Sequence, residues 1–288
     1  MASRPVCGRL PVDHLTAPIF LLTDFGLRDS YVGQVKAVIS ALAPASPLID
    51  ITHEIEPYAI DEAAWTLEAC LPALPVPATV LAVVDPGVGT ARRAVAVHSA
   101  GRWFIGPDNG VLSAAVAVRP PGDCLAGPHG VDISDSGVDV CELGSPGFHR
   151  HPVSATFHGR DVFAPAAARL AAGLDSRQLG PPCSSLTLLP RFGGVPDGPG
   201  CLRGYVVHVD RYGNVVTSIR AEQLFTAFVI EVGGTPVDVR GRTFADGPAD
   251  RPFCHVDSSG FVVIALREGH AAAALGAQRR DPVTVRAR

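Results

Sequence analysis

The sequence predicts an α/β N-terminal domain with a mixed, mostly parallel sheet, followed by a smaller, mainly-β, barrel-like domain. Three observations carry this. Short apolar runs alternate with segments of helical spacing over residues 18–182. The stretch PPCSSLTLLPRFGGVPDGPG then turns dense in Pro, Gly and Ser, which places a linker at 183–200. Beyond it, residues 201–288 carry only short β-type runs separated by turn residues. At 288 residues and 47% hydrophobic content the chain has ample material for a core.

Taken in order, PIFLLTDFG reads as a buried strand ending in a turn. The segment after it sets Tyr31, Val35, Val38, Ile39 and Leu42 at helical spacing. The unit repeats with PLIDIT as strand, AIDEAAWTLEACLPAL as helix and ATVLAVVD as strand, and RAVAVH and RWFIG add further β segments. Helices are expected at NGVLSAAVAV (109–118) and DVFAPAAARLAAG, where Gly173 supplies a stop. In the second domain RGYVVHVD, NVVTSI, AFVIEVGG, TPVDVR, GFVVIAL and PVTVRA read as strands. Patches at 119–130 and 243–252 read as surface loops, and no internal repeat is visible.

A net charge of −4 lacks the basic footprint that nucleic-acid binding requires, so that partner class is set aside. The seven cysteines are scattered, odd in number and never spaced as C-x-x-C, a pattern of reduced thiols and a cytoplasmic protein. The first seventeen residues hold no apolar run of a secretory signal, and no stretch approaches the roughly 20 apolar residues of a membrane span.

Several residues are candidates for chemistry. Asp24 stands where a parallel strand should end, the edge at which open α/β sheets bind ligands. A carboxylate there can accept two hydrogen bonds from a ribose diol, or it can simply shape the turn toward a helix beginning near Asp29 and Ser30. Asp85 follows the apolar run VLAVV and opens the tight turn DPGVG. That turn lacks the Lys-Ser/Thr of a phosphate loop, and Arg92 or Arg93 on the next strand can return to pair with Asp85. The competing reading is plain turn chemistry with a solvated arginine rim. His158 sits beside a glycine just ahead of a helix, suited to orienting a water, while Arg160 and Asp161 read as a local ion pair. The HRH at 149–151 has no ligand partners nearby, so no metal site is expected. In VVHVDRYGNVVTSI, Asp210, Tyr212 and Asn214 cluster around a turn: an acid for an ammonium, a stacking face and an amide that suits an adenine edge, or else an ordinary hairpin.

Together LLTDFGLRDSYVGQVKAVI, AVVDPGVGTARR, GPDNGVL, FHGRDVFAPAAARLAAG and VVHVDRYGNVVTSI resemble the family of S-adenosyl-L-methionine (SAM) hydroxide adenosyltransferases, kin to the SAM-dependent fluorinase and chlorinase. The resemblance covers roughly residues 18–270. It implies hydrolysis of SAM to adenosine and L-methionine by water or hydroxide at the ribose C5′ carbon, with no cofactor or metal. The implied catalytic set is Asp85, Arg92 and His158. Implied substrate contacts are Asp24 on the ribose hydroxyls, Asn214 with Tyr212 at adenine, Asp210 at the methionine ammonium, and Asp29, Tyr58, Phe157, Ser258 and Leu266 around them. The resemblance also implies homotrimers with sites between one subunit's α/β domain and a neighbour's β domain. Near the C-terminus the family's Asn-Ser-x-Gly stretch appears here as DSSG, with Asp257 in the Asn place. Two alternatives stand beside hydrolysis. The first is a SAM-dependent halogenase, disfavoured by Asp85 in DPGVG, by Gly159 where the fluorinase has a halide-contacting serine, and by the short AGR joining two strands where the fluorinase carries an inserted loop. The second is a non-catalytic SAM or adenosine sensor.

Overall fold

A computed structural model describes residues 16–288; the stretch before them, which includes Cys7 and in which no targeting segment is read, lies outside the described residues. Its first part contains β1 (Ile19–Thr23), α1 (Tyr31–Leu42), β2 (Leu48–Thr52), α2 (Ile60–Cys70), β3 (Ala78–Val83), β4 (Ala94–Ser99), β5 (Arg102–Pro107), β6 (His129–Asp132), β7 (Asp139–Glu142) and α3 (Ala164–Ala171). Six strands form one sheet in the order β2-β1-β3-β5-β4-β7. The β1–β2, β1–β3 and β3–β5 pairs are parallel, and β4 runs antiparallel to both β5 and β7, the mixed sheet expected. β1 and β3 are buried along their whole lengths, and apart from the buried Thr23 and Thr79 their sequences are apolar runs rather than alternating ones. From β1 the chain steps to β2 on one side, then returns to β3 on the other. The order therefore reverses between β1 and β3, and the crevice beyond their carboxyl ends is the place where such sheets bind ligands.

Helix α1 buries Val32, Val35 and Ile39, while Tyr31 and Leu42, also expected on its apolar face, are exposed. α3 ends as expected at Gly173, with φ +89, but begins in a π-helical turn, Gly159–Phe163. The helix expected over 109–118 is absent apart from one 3-10 turn, Ser113–Ala115. Asn109 is the cause: its Nδ2 donates to the Val84 carbonyl at 2.9 Å and its Oδ1 accepts from the Val111 amide at 3.1 Å, displacing helical bonds. Gly110 then turns the chain at φ +105, where a Cβ would meet Leu189 and Pro128 at 3.1 Å. The 119–130 patch read as loop holds a 3-10 turn and the start of β6.

Within 183–200 lie β8 (Ser185–Leu188), which pairs with β6, and β9 (Val195–Pro196), which pairs with β10 (Cys201–Val209). The rest comprises β11 (Val215–Arg220), β12 (Phe228–Val232), β13 (Thr235–Val237), β14 (Phe253–Val256), β15 (Phe261–Ala265), α4 (Ala271–Leu275) and β16 (Pro282–Ala287). These strands form an antiparallel sheet in the order β13-β12-β16-β10-β11-β15-β14. A backbone bridge from Arg240 to Cys254 joins its two edges and nearly closes it as a barrel.

Helix α2 joins the two parts. Ala63 and Leu67 face the mixed sheet, while Ala64 and Trp65 pack with Tyr205, Val207 and Phe261 of the barrel. Its first turn buries two acids, Asp61 and Glu62, and each has a partner from the barrel side. Among the described residues no helix is long and apolar enough to cross a membrane.

Candidate active site

Asp24 directly follows β1 and Asp85 lies two residues beyond β3, so both carboxylates stand at the β1–β3 reversal. Arg92 forks onto Asp85, donating from Nε to Oδ1 at 2.9 Å and from Nη2 to Oδ2 at 2.5 Å. Both side chains are largely buried, at 6% exposure for Asp85 and 11% for Arg92, and the guanidinium also lies over the Phe163 ring. Nη2 donates in addition to Nδ1 of His158 at 2.9 Å. Arginine carries no acceptor, so Nδ1 must be the unprotonated nitrogen and Nε2 bears the proton. Burial, with the Arg92 charge second, pushes the His158 pKa below its ordinary value, which fits a neutral ring. The second arginine of the pair, Arg93, instead binds Asp108 at 2.6 Å.

The turn between Asp85 and Arg92 depends on two glycines. A Cβ on Gly87 would crowd Arg92 Cγ at 3.2 Å, and one on Gly89, at φ +77, would meet the Ala155 carbonyl at 2.6 Å. The acidic turn thus seats on the loop that leads to His158. That loop is fixed from beneath by Asp161, which is fully buried and accepts from Arg160 at 2.7 and 2.8 Å, from Arg150 at 3.1 Å and from the Ser154 amide at 2.9 Å. These cationic and amide donors outweigh burial and hold its carboxyl at a pKa of about 2.

Asp24, Asp85, His158, Tyr58 and Phe157 line one cavity of about 330 Å³, together with Phe25, Tyr31, Val88 and Thr156. Asp24 Oδ2 accepts the Tyr58 amide at 3.0 Å. Burial, with the Asp85 charge as a smaller cause, raises the Asp24 pKa despite that bond. Phe157 packs edge-on to Phe25 and Tyr31, with ring centroids 5.8 and 5.3 Å apart. Asp29 is exposed on the turn ahead of α1 and lies outside this lining.

A second cavity, about 560 Å³, is lined by Tyr212, Asn214, Phe244, Leu266, Arg267 and Gly269 among others. Asp210 builds its turn: Oδ1 accepts from the amides of Tyr212 and Asn214 at 2.9 Å, and Oδ2 from Asn214 Nδ2 at 2.7 Å. Those bonds use most of the carboxylate's roughly four acceptor positions. Ser258 is exposed on the turn at the opposite end of β15 from Leu266 and lines neither cavity.

Family models for the SAM hydroxide adenosyltransferase N-terminal and C-terminal domains match residues 19–180 and 204–284. The chain belongs to this family. A protein of Thermus thermophilus named (R)-S-adenosyl-L-methionine hydrolase is 42% identical to it over 92% of this chain and 98% of its own length. One of the same name from Salinispora arenicola is 39% identical over 93% and 97%. The crystal structure of an uncharacterized conserved protein from Thermotoga maritima superposes with a TM-score of 0.79 at 32% identity, covering 94% of this chain and all of that one.

Within this family member the Asp24 cavity gathers five of the residues singled out in the sequence, with Arg92 behind them. Tyr212, Asn214 and Leu266 line the other cavity, and the two linings share no residue. The sequence does not mark Phe244, Arg267 or Gly269: Phe244 stands in a stretch that reads as surface loop, and only the structure shows it 52% exposed on the cavity. Tyr31 and Thr156 carried no signal beyond proximity to Asp24 and His158.

Proposed function

We propose that this chain hydrolyses SAM to adenosine and L-methionine. The observation that carries the reading is the convergence of Asp85, His158 and Asp24 on one cavity at the sheet's switch point, with Arg92 behind binding both Asp85 and His158. A water lodged against Asp85 attacks C5′ in line with sulfur. The C5′–O bond forms as the C5′–S bond breaks, the electron pair leaves on the methionine thioether, and the water's proton passes by way of Asp85 to solvent. The sulfonium is already a good leaving group, so the proposal includes no metal, cofactor or leaving-group acid, only a positioned nucleophile. Arg92 keeps Asp85 in place through its two bonds, and neutral His158 fixes Arg92. Asp24 takes the ribose hydroxyls. A carboxylate beside the nucleophile also repels halide, which disfavours halogenation.

The adenine end is assigned to Tyr212, Asn214 and Leu266 of a second copy, with Asp210 for the methionine ammonium. Support comes from the separate linings of the two cavities and from the 72% exposure of Tyr58 and 77% of Tyr212, large apolar surface suited to meeting across an interface. The reading extends to a homotrimer and to a cytoplasmic setting, the latter supported by free cysteines throughout the described residues. The relatives' names specify the R sulfonium epimer, and the proposal extends to that substrate.

The test incubates purified protein with each SAM epimer, with and without chloride or fluoride, and follows adenosine, methionine and 5′-halo-adenosine by chromatography. Adenosine and methionine in equal amounts, lost in Asp85→Ala, support the reading. Halonucleoside moves the chain to the halogenases, and adenosine binding without product makes it a sensor.

A further inference from the structure

The loop that carries Tyr58 is gripped by the barrel of its own chain. Tyr58 holds φ +68, a left-handed conformation uncommon for an aromatic side chain, and in it the amide reaches Asp24 at 3.0 Å. Such a backbone persists only where its surroundings impose it. Two residues earlier, the Glu56 amide donates to Glu62 at 3.1 Å, the Glu56 carbonyl accepts from Ala59 at 2.9 Å, and the Glu56 carboxylate binds Arg279 Nε. Arg279 precedes β16 and spreads Nη1 over both oxygens of buried Asp61, at 3.1 and 3.0 Å. Glu62, also buried, accepts from His208 Nδ1 at 2.6 Å on its other oxygen.

Two kinds of contact are mixed here. The bonds from Arg279 and Arg280 to Asp61 join the barrel to α2, alongside the His208–Glu62 and Arg220–Glu68 pairs. The bond from Arg279 to Glu56 reaches a residue 58% exposed, on a loop, where an ion pair adds little stability. Its distinct consequence is geometric, because Glu56 is separated from Tyr58 only by Pro57, and Pro57 and Tyr58 are both cavity wall.

We propose that Arg279 is a positioning residue that acts through Glu56 to hold Tyr58, and with it the Asp24 edge of the cavity, in the form that binds the ribose. The proposal rests on the functional reading above. By this mechanism the barrel acts on the active site of its own chain, whereas the adenine contacts assigned above are made to a neighbour.

Three variants test it by SAM turnover and by adenosine affinity in calorimetry. Glu56→Ala should raise KM for SAM and Kd for adenosine roughly 3- to 10-fold while kcat stays within about twofold, the signature of lost uniform binding. Arg279→Lys keeps the charge but cannot serve Glu56 and Asp61 together, so its KM should fall between those of wild type and Glu56→Ala. Arg280→Ala cuts an interdomain bond without touching Glu56 and should leave KM unchanged. Wild-type KM and Kd in Glu56→Ala overturn the proposal, as does an equal rise in Arg280→Ala, which would mean general loosening. If the wild-type protein turns over no SAM, the functional reading falls, and the two adenosine affinities alone decide this proposal. Wild type with neither SAM turnover nor adenosine binding overturns both.

Discussion

Arg92 binds His158 through the same nitrogen, Nη2, that it gives to Asp85, at 2.9 and 2.5 Å. One guanidinium therefore sets both the acid that faces the cavity and the histidine beside it. Arg92→Lys keeps the charge and loses the fork, and it should lower kcat by roughly 10²- to 10³-fold while the protein stays folded. Arg92→Ala leaves a buried carboxylate without its cation and should also cost about 3–5 kcal/mol of stability. Turnover and urea-unfolding midpoints of the two variants separate these effects.

His158 supplies a pH signature. Its pKa lies below the ordinary value because of burial and Arg92, and protonation would turn an N–H of Nδ1 against the Arg92 donor. Activity should hold as pH falls through the usual histidine range near 6.5 and drop only below it. The stability contribution has the same sign: it is complete above the unfolded-state value and is lost as pH falls through the lower folded-state one. The unfolding midpoint of His158→Gln should therefore gain on that of wild type as pH falls below about 6.5 and keep a constant offset above it. A parallel trend for the two proteins at every pH rules this out.

Much of this site was legible from where strands stop. Asp24 and Asp85 follow fully buried runs, and in a parallel sheet the residue after such a run is delivered to the ligand-binding edge. The 109–118 segment was misread because its apolar spacing suits a helix, while Asn109 and Gly110 carry the turn and only the contacts to Val84 and Leu189 reveal it. Asp61 and Glu62 look like ordinary first-turn acids of a solvated helix, and their burial depends on His208 and Arg279, about 150 to 220 residues away. Asp29 and Ser258 rest on the family resemblance alone as site residues, and the fold of one chain places neither in the lining of the two cavities described above.

Asp24 should show a conflict between function and stability. Burial and the nearby Asp85 charge raise its pKa, so its stabilising contribution is full below the unfolded-state value and is lost as pH rises through the folded-state one. At neutral pH the charged form is a cost to the fold. Asp24→Asn should raise the melting temperature at pH 7 and narrow that gain toward pH 4, while weakening adenosine binding roughly 10- to 100-fold. Calorimetry and thermal melts across that range check both halves.

Asp161 behaves in the opposite sense. Held at a pKa of about 2 by Arg160, Arg150 and the Ser154 amide, it contributes stability that is full above the ordinary carboxylate range and is lost only as pH falls toward 2. Asp161→Asn should destabilise the protein by about 3 kcal/mol at neutral pH, because two arginines lose their charge partner. It should also lower kcat, since the Ser154 amide it holds leads directly into Thr156 to Gly159, which form one wall of the cavity. A variant as stable as wild type refutes the role of Asp161 as the loop's anchor.

The separation of the two cavities leads to a complementation test. Asp85→Ala disables the half-site on the mixed sheet and Asn214→Ala the half-site on the barrel, so each variant alone should be inactive or nearly so. If the two halves of a working site come from different copies, co-expressed variants form some sites in which both halves are wild type. Independent pairing predicts that roughly a quarter of all sites regain function, or about a third in trimers that contain both variants. If both halves belong to one chain, every site carries one lesion and the mixture stays as inactive as its parts. Purifying doubly tagged assemblies and assaying adenosine release decides between these outcomes, and activity near the predicted fraction places the two cavities on one shared site.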